Sequence, residues 1–261
     1  MEYLVRDVLT NNQLETAHGF VRDRTRGIRQ DFVYQNYRLD EAIECHETIA
    51  RFHILSLHHL CGASTFDAFQ EMEQLRKTLT SLAEYYRDAA MNGRFYPNEP
   101  EFRAYAVVLL ARERDVERLV SEWPEHVRES RAVSLAVNFY RMLQRNSAPP
   151  GVKRIGYPEL VHSTPVTFFS LVRSRATPYL MACLLEFHFG DVRRSGMNMI
   201  NRSYNNKTKK PTLELVTYLL AYENIEEARE DILAHGLEIK TVMMDGQNTE
   251  VLFPNKALTA G

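Results

Sequence analysis

What is scarce narrows this sequence first. Glycine supplies only 11 of 261 residues, too few for the turn-dense connections of a β-sandwich or barrel, so helices are favoured. Cysteine occurs three times, as Cys45, Cys61 and Cys183. An odd number set in apolar, helix-like patterns argues against a disulfide framework and suits a reducing compartment such as nucleus or cytosol. No stretch holds eighteen consecutive apolar residues, and the N-terminus MEYLVRDVLT lacks a basic region followed by an apolar run. Neither a membrane-spanning helix nor a signal peptide is expected, and no membrane partner. An excess of one charge is missing too: 32 basic residues face 34 acidic ones, which leaves any nucleic-acid binding to a local patch. Phosphate-binding glycine loop, nucleophile elbow and zinc-protease helix are all absent. Carboxylate groupings such as Glu41 with Glu44, or Glu226 and Glu227 with Glu230, have nothing around them to drive their pKa values apart and read as solvated helix faces. No catalytic residue and no cofactor is assigned.

What is present is helical periodicity. From Asp40 to Leu60 the residues Ile43, His46, Ala50, His53, Leu57 and Leu60 recur at three and four, a wide stripe that predicts burial on more than one side. From Phe66 to Met91 an inward line of Phe69, Met72, Leu75, Leu79, Leu82 and Tyr86 opposes a solvent face of Glu71, Arg76, Lys77 and Asp88. Asn98 and Glu101 have the spacing of a capping box. Val127 to Gln144 reads as a further helix, and Met1 to Gly19 offers a small docking cluster of Leu4, Val5, Val8 and Leu9. SAPPG at Ser147 to Gly151 is the clearest break. Beyond it come a short helix at Thr164 to Val172, an almost wholly apolar one at Tyr179 to Phe189 expected to centre the second half, and a third at Asp191 to Tyr204 with Val192, Met199 and Ile200 inward.

The last fifty residues change period from 3.6 to 2. A helix at Thr212 to Ala221 and one capped by Asn224 with Glu227 precede a strand through Leu237, Ile239 and Val242 to Met244, a hairpin loop at Asp245 to Asn248, and a return at Thr249 to Phe253. Three helices and a two-stranded wing form the winged-helix order. The expected fold is mainly α, a right-handed, TPR-like helical-repeat solenoid capped by a C-terminal winged helix, the PCI architecture. Its parts are residues 1–39 as N-terminal bracing helices, 40–190 as solenoid and 191–261 as winged-helix subdomain.

Two clusters invite a ligand. Cys45, His46, His53, His58, His59 and Cys61 fall close together, but His46 and His53 are roughly 10 Å apart along a helix, and only His58 and Cys61 have chelating spacing. The expectation is histidines packed in a helical core with ring nitrogens on backbone or carboxylate groups, and no metal. The basic run Arg193, Arg194, Arg202, Lys207, Lys209 and Lys210 has no acidic residue between its members. It reads either as a set of point charges for phosphates or as a solvated face and loop.

Phe20 to Asn36, FVRDRTRGIRQDFVYQN, sets Arg22, Arg24, Arg26 and Arg29 around a thin apolar line. Gly27 costs a helix interior roughly 1 kcal/mol relative to alanine and predicts close packing of another backbone. The segment is expected to brace the solenoid with its arginines paired by carboxylates of later helices.

DRTRGIRQDFVYQNY followed by EAIECHETIARFHILSLHHLC, with NEPEFRAY at Asn98 and PYLMACLLEFHF at Pro178, resembles the conserved domain of the GANP family, whose yeast members are mRNA-export scaffolds. The likeness runs over nearly the whole chain, which begins close to the family's first motif and stops soon after the family's domain ends, as an excised domain would. It implies the same solenoid and winged helix and a non-catalytic subunit of transcription-and-export complex 2, in the nucleus at the nuclear face of the nuclear pore. It also implies pairing with a second PCI subunit, winged helix beside winged helix, with a small acidic proteasome-lid-type subunit joined through that partner, and binding of RNA and DNA. Other export subunits would bind regions outside this chain. The expected partner surface is the wing, Leu237, Ile239, Val242, Met243, Leu252 and Phe253, with the two helices before it. Alternatives within the resemblance are a PCI scaffold of elongation or splicing, a centrosomal paralogue, or a stand-alone winged-helix nucleic-acid module.

Overall fold

Helices dominate and a small two-stranded sheet follows them. The computed structural model describes residues 1–113, 115–146, 164–204, 210–244 and 247–253. The SAPPG break, Lys207 and Lys209 lie outside them. Contacts divide the chain into two units.

The first unit is Met1–Tyr140 with Pro178–Glu186. After a short helical segment at Tyr3–Leu9 come α1 (Leu14–Tyr34), α2 (Asp40–His59), α3 (Ala68–Met91), α4 (Glu99–Leu109), α5 (Val116–Ser121), α6 (Glu125–Arg128) and the start of α7 (Arg131–Asn146). Every member of the predicted α2 stripe is buried, because α2 packs against α3 and also against α9 (Tyr179–Leu185). Helix α9, expected to centre the second half, instead packs on α2 and α4 in this unit. Its run of apolar residues is filled by those neighbours, with Met181, Cys183, Leu184 and Leu185 buried. Asp67 starts α3 by accepting from the backbone N–H groups of Phe69 and Gln70, both at 3.0 Å. The N-terminal cluster docks as expected, with Val8, Leu9 and Leu14 against Ala17, Val21 and Phe52.

Several expectations for this unit fail for a common reason, the presence of buried polar partners. Phe69 is 79 % exposed, while Glu71, assigned to the solvent face, is fully buried. One oxygen of Glu71 lies 2.7 Å from His53 Nδ1 on α2 and the other 3.0 Å from His18 Nε2 on α1. Those contacts hold its carboxyl at about 2, well below the usual range, against the opposing push of burial. Asn98 stands at the start of α4 but caps nothing. Its amide donates to Glu47 at 2.7 Å, and Glu101 accepts from Arg51 and Tyr105 instead.

Histidine burial makes this unit acid-sensitive. His46, wholly inaccessible, donates through Nδ1 to the Ala42 carbonyl at 2.7 Å and packs edge-on against Tyr85. Burial pushes its pKa down to about 4, and His53 moves in the same direction for the same first cause. The unfolded chain therefore takes up more protons below about pH 6.5, so stability is full above that pH and is lost on acidification. His46 alone is expected to remove about 2 kcal/mol by pH 5. Urea midpoints between about pH 7.5 and 5 should fall in the wild type and fall less steeply in His46→Phe.

The second unit is Arg141–Thr177 with Phe187–Gly261. Its elements are α8 (Thr164–Val172), α10 (Phe189–Tyr204), α11 (Leu213–Leu219), α12 (Ile225–Ala234), β1 (Glu238–Met244) and β2 (Gln247–Phe253). The rings of Phe168, Phe169 and Phe189 meet edge to face. Gly196 on α10 is where helices approach closely, since a Cβ there would lie 2.6 Å from Leu220 Cδ2 and 3.5 Å from Pro165 Cβ. Thr212 caps α11 through Leu215 N–H, and Asn224 caps α12 by accepting from Glu227 N–H at 2.7 Å. Glu227 reaches back to Glu223 N–H at 2.8 Å, one residue before the cap. Strands β1 and β2 pair antiparallel from Glu238 with Phe253 to Met244 with Gln247, so the return strand starts two residues earlier than its apolar pattern suggested. Leu252 N–H donates to the Pro211 carbonyl and Thr212 bridges Val251, which extends the pairing on the β2 side.

Candidate nucleic-acid and partner interface

The basic run separates into three kinds of residue. Arg193, expected outward, is folded against its own unit. Nε donates to the Leu220 carbonyl at 3.2 Å, Nη2 to the Ala221 carbonyl at 2.6 Å and Nη1 to Glu227 at 2.8 Å. Its guanidinium also lies 4.1 Å from the Tyr222 ring centroid and 5.8 Å from that of Phe189. Each of its three nitrogens is engaged within the unit and the side chain is only 15 % exposed, so it is poorly placed to meet a phosphate. Arg194 and Arg202 are exposed on α10, Arg194 within 3.5 Å of Asp191. Eight residues apart, they lie roughly 12 Å from one another along the axis. Lys210 donates to the Tyr204 carbonyl at the end of the same helix. Of the six basic candidates the described structure thus leaves Arg194 and Arg202 presented to solvent.

The helix after the turn, α12, has the wrong sign for phosphate. Glu223, Glu226 and Glu230 are exposed, Glu227 and Asp231 partly so. The one cation among them, Arg229, is held bidentate by Glu250 at 2.8 and 2.6 Å. A second helix entering a DNA groove would set these carboxylates against the backbone charge.

The expected wing residues divide as well. Leu237 and Leu252 are buried in the unit's own core, at 4 % and 1 % exposure, and cannot meet a partner. Ile239 is half-buried, Phe253 lies under Lys240 at 5.0 Å, and Val242 and Met243 are exposed. Position along the hairpin accompanies the split, since Leu252 pairs with Ile239 near its base and Met243 with Asn248 near its tip. Leu215 and Tyr218, not singled out from the sequence, are exposed on α11, one of the two helices expected in the partner surface, with Arg173 stacked 4.6 Å from the Tyr218 ring.

The histidine segment resolves into packing. His46 sits on a backbone carbonyl, His53 on Glu71, and His58 on Glu186 at 2.7 Å, while Cys61 donates to the His58 carbonyl. Among the described residues no group of three metal-ligating side chains converges. The arginine-rich segment departs from expectation. Arg24 and Arg26 are exposed and have no carboxylate partner among the described residues, Arg24 lying over Phe20 at 5.3 Å. A Cβ at Gly27 would meet nothing within 4 Å, so no backbone packs there. Helix α1 is fixed instead by buried polar contacts to α3, His18 to Glu71 and Arg29 to Gln74.

A mainly helical chain that closes on a two-stranded sheet and presents exposed apolar and cationic groups falls in the class of mainly helical domains. The SAC3/GANP family model matches residues 1–241, and the chain belongs to that family, whose members are mRNA-export-related proteins. It is 39 % identical over 246 residues to SAC3 family protein 1 of Schizosaccharomyces pombe, covering 92 % of this chain and 24 % of that protein. It is 28 % identical over 252 residues to Protein xmas of Drosophila melanogaster, with 92 % and 11 % covered. It is 27 % identical over 259 residues to SAC3 family protein B of Arabidopsis thaliana, with 92 % and 14 % covered. The chain thus spans a quarter or less of the length of these relatives.

Proposed function

We propose that this chain is the conserved scaffold domain of a nuclear mRNA-export protein, a helical solenoid ending in a winged helix, acting at the nuclear face of the pore. It pairs there with a second PCI subunit that brings the small acidic proteasome-lid-type subunit. Family membership supports the pathway. The observation that carries the pairing is the helix–helix–hairpin module whose exposed apolar groups, Leu215 and Tyr218 on α11 with Val242 and Met243 on β1, belong to one unit. Exposed apolar side chains of this size are expected to have a cover. Nucleic acid is bound weakly by the single chain through Arg194, Arg202 and the lysines that follow, because α12 is acidic.

Co-expression with the cognate PCI subunit should yield a stoichiometric complex on size exclusion. Val242→Glu with Met243→Glu is expected to dissociate it while changing the chain's own stability by less than about 0.5 kcal/mol, both residues being exposed. A complex that survives this pair but is lost with Leu215→Glu and Tyr218→Glu would move the interface to α11. One that survives both sets would refute this surface.

A further inference from the structure

Among the described residues Arg29 is a buried cation without a counter-ion. Only 9 % of it is exposed, its Nη2 donates to the neutral amide oxygen of Gln74, and its Nε has no partner. Burial, and then the nearby Arg26, push its pKa below the ordinary arginine value. A buried charge held by one amide is an unfinished site, since such groups are ordinarily matched by an opposite charge. Arg29 lines a groove of about 400 Å³ between α1 and α3, together with Arg26, Val33, Tyr34 and Lys77. Arg26 is exposed and has no ion pair among the described residues, whereas Lys77 is held by Glu73 at 2.9 Å. Uncompensated charge is therefore concentrated on two guanidiniums. Beside them Val33 and Tyr34 are 64 % and 83 % exposed.

We propose that this groove docks an acidic peptide segment of a partner protein. One carboxylate of the segment enters between Arg26 and Arg29, and a neighbouring apolar side chain lies on Val33 and Tyr34. Charge complementarity selects the anion, and a guanidinium pair suits a carboxylate fork. The apolar margin selects protein over nucleic acid. A phosphate backbone needs a row of free cations, and here Lys77 is already paired while Asp31 and Glu73 stand on the same two helices.

The test uses the full chain and fluorescence anisotropy with three labelled probes: a peptide alternating aspartate and leucine, its asparagine–leucine counterpart, and oligouridine. The acidic peptide is expected to saturate, with the neutral one bound about tenfold more weakly or worse. Arg26→Glu should weaken the acidic peptide by about tenfold or more without lowering the urea midpoint, because Arg26 is exposed, has no ion pair among the described residues and repels Arg29. Tyr34→Ser should weaken both peptides. The proposal is overturned if the acidic peptide shows no saturable binding up to about 1 mM, or if Arg26→Glu binds it as the wild type does. Oligouridine bound more tightly than the peptide, and lost in Arg26→Glu, would assign the groove to nucleic acid and sink the peptide reading.

Discussion

Glu71→Ala is expected to lower the stability of the first unit by about 4 kcal/mol, the largest effect of any single substitution considered. The side chain is fully buried between His53 and His18. His53 donates through Nδ1 to one oxygen, while His18 Nε2 lies 3.0 Å from the other without hydrogen-bond alignment. Removing the carboxylate leaves the buried His53 donor unanswered and takes away the group beside His18, and an unmade buried hydrogen bond costs more than a made one contributes. Glu71→Gln keeps one acceptor oxygen but turns an NH₂ toward the second histidine, so roughly half of the loss is expected. Replacing Glu71, His18 and His53 together by leucine should recover most of the stability, because a packed apolar set is no worse than a matched polar one. Urea unfolding at neutral pH measures all three. A loss below about 1 kcal/mol in Glu71→Ala would mean that the three helices are not joined through this carboxylate.

This triad also shows where sequence reading succeeds and stops. The stripe of α2 was legible because apolar residues at a period of 3.6 have one physical explanation, a buried face. Glu71 was not, because a glutamate on a helix is ordinarily solvated and the imidazoles it meets come from 18 and 53 residues away in the chain. His53 was placed in the core for its spacing alone, with no means of knowing what its ring would hold. Local signals fared in the same way. Caps on α3 and α12 form with their own helix, whereas Asn98 has the right spacing and spends its amide on Glu47. The hairpin residues Leu252 and Met243 were grouped by hydrophobicity, though one pairs near the base of the hairpin and is buried while the other pairs near its tip and is exposed. Gly27 implied a close neighbour that is absent, and the structure gives no steric reason for it.

Arg193→Ala tests the sharpest of these reassignments and is expected to cost about 3 kcal/mol in the second unit. The substitution strands the Leu220 and Ala221 carbonyls and the Glu227 carboxylate, and removes the cation from the Tyr222 face. Those groups form the turn between α11 and α12, where Ala221 has a positive φ of 53°, a strained position that needs its neighbours fixed. Hydrogen exchange should therefore accelerate first at amides of that turn. Arg193→Lys should recover less than half, since an ammonium cannot reproduce a three-edged fork. Arg194→Glu with Arg202→Glu should leave stability within about 0.5 kcal/mol of wild type, both being exposed. If both reach phosphate, that pair should flatten the salt dependence of oligouridine binding by about 1.4, at about 0.7 per contact on single strands. The sequence alone could not separate Arg193 from Arg194. Adjacent residues on a helix point about 100° apart, and what Arg193 meets comes from a turn 27 to 34 residues later. Stability unchanged in Arg193→Ala, with oligouridine binding lost, would return Arg193 to the phosphate-binding set and undo its structural assignment.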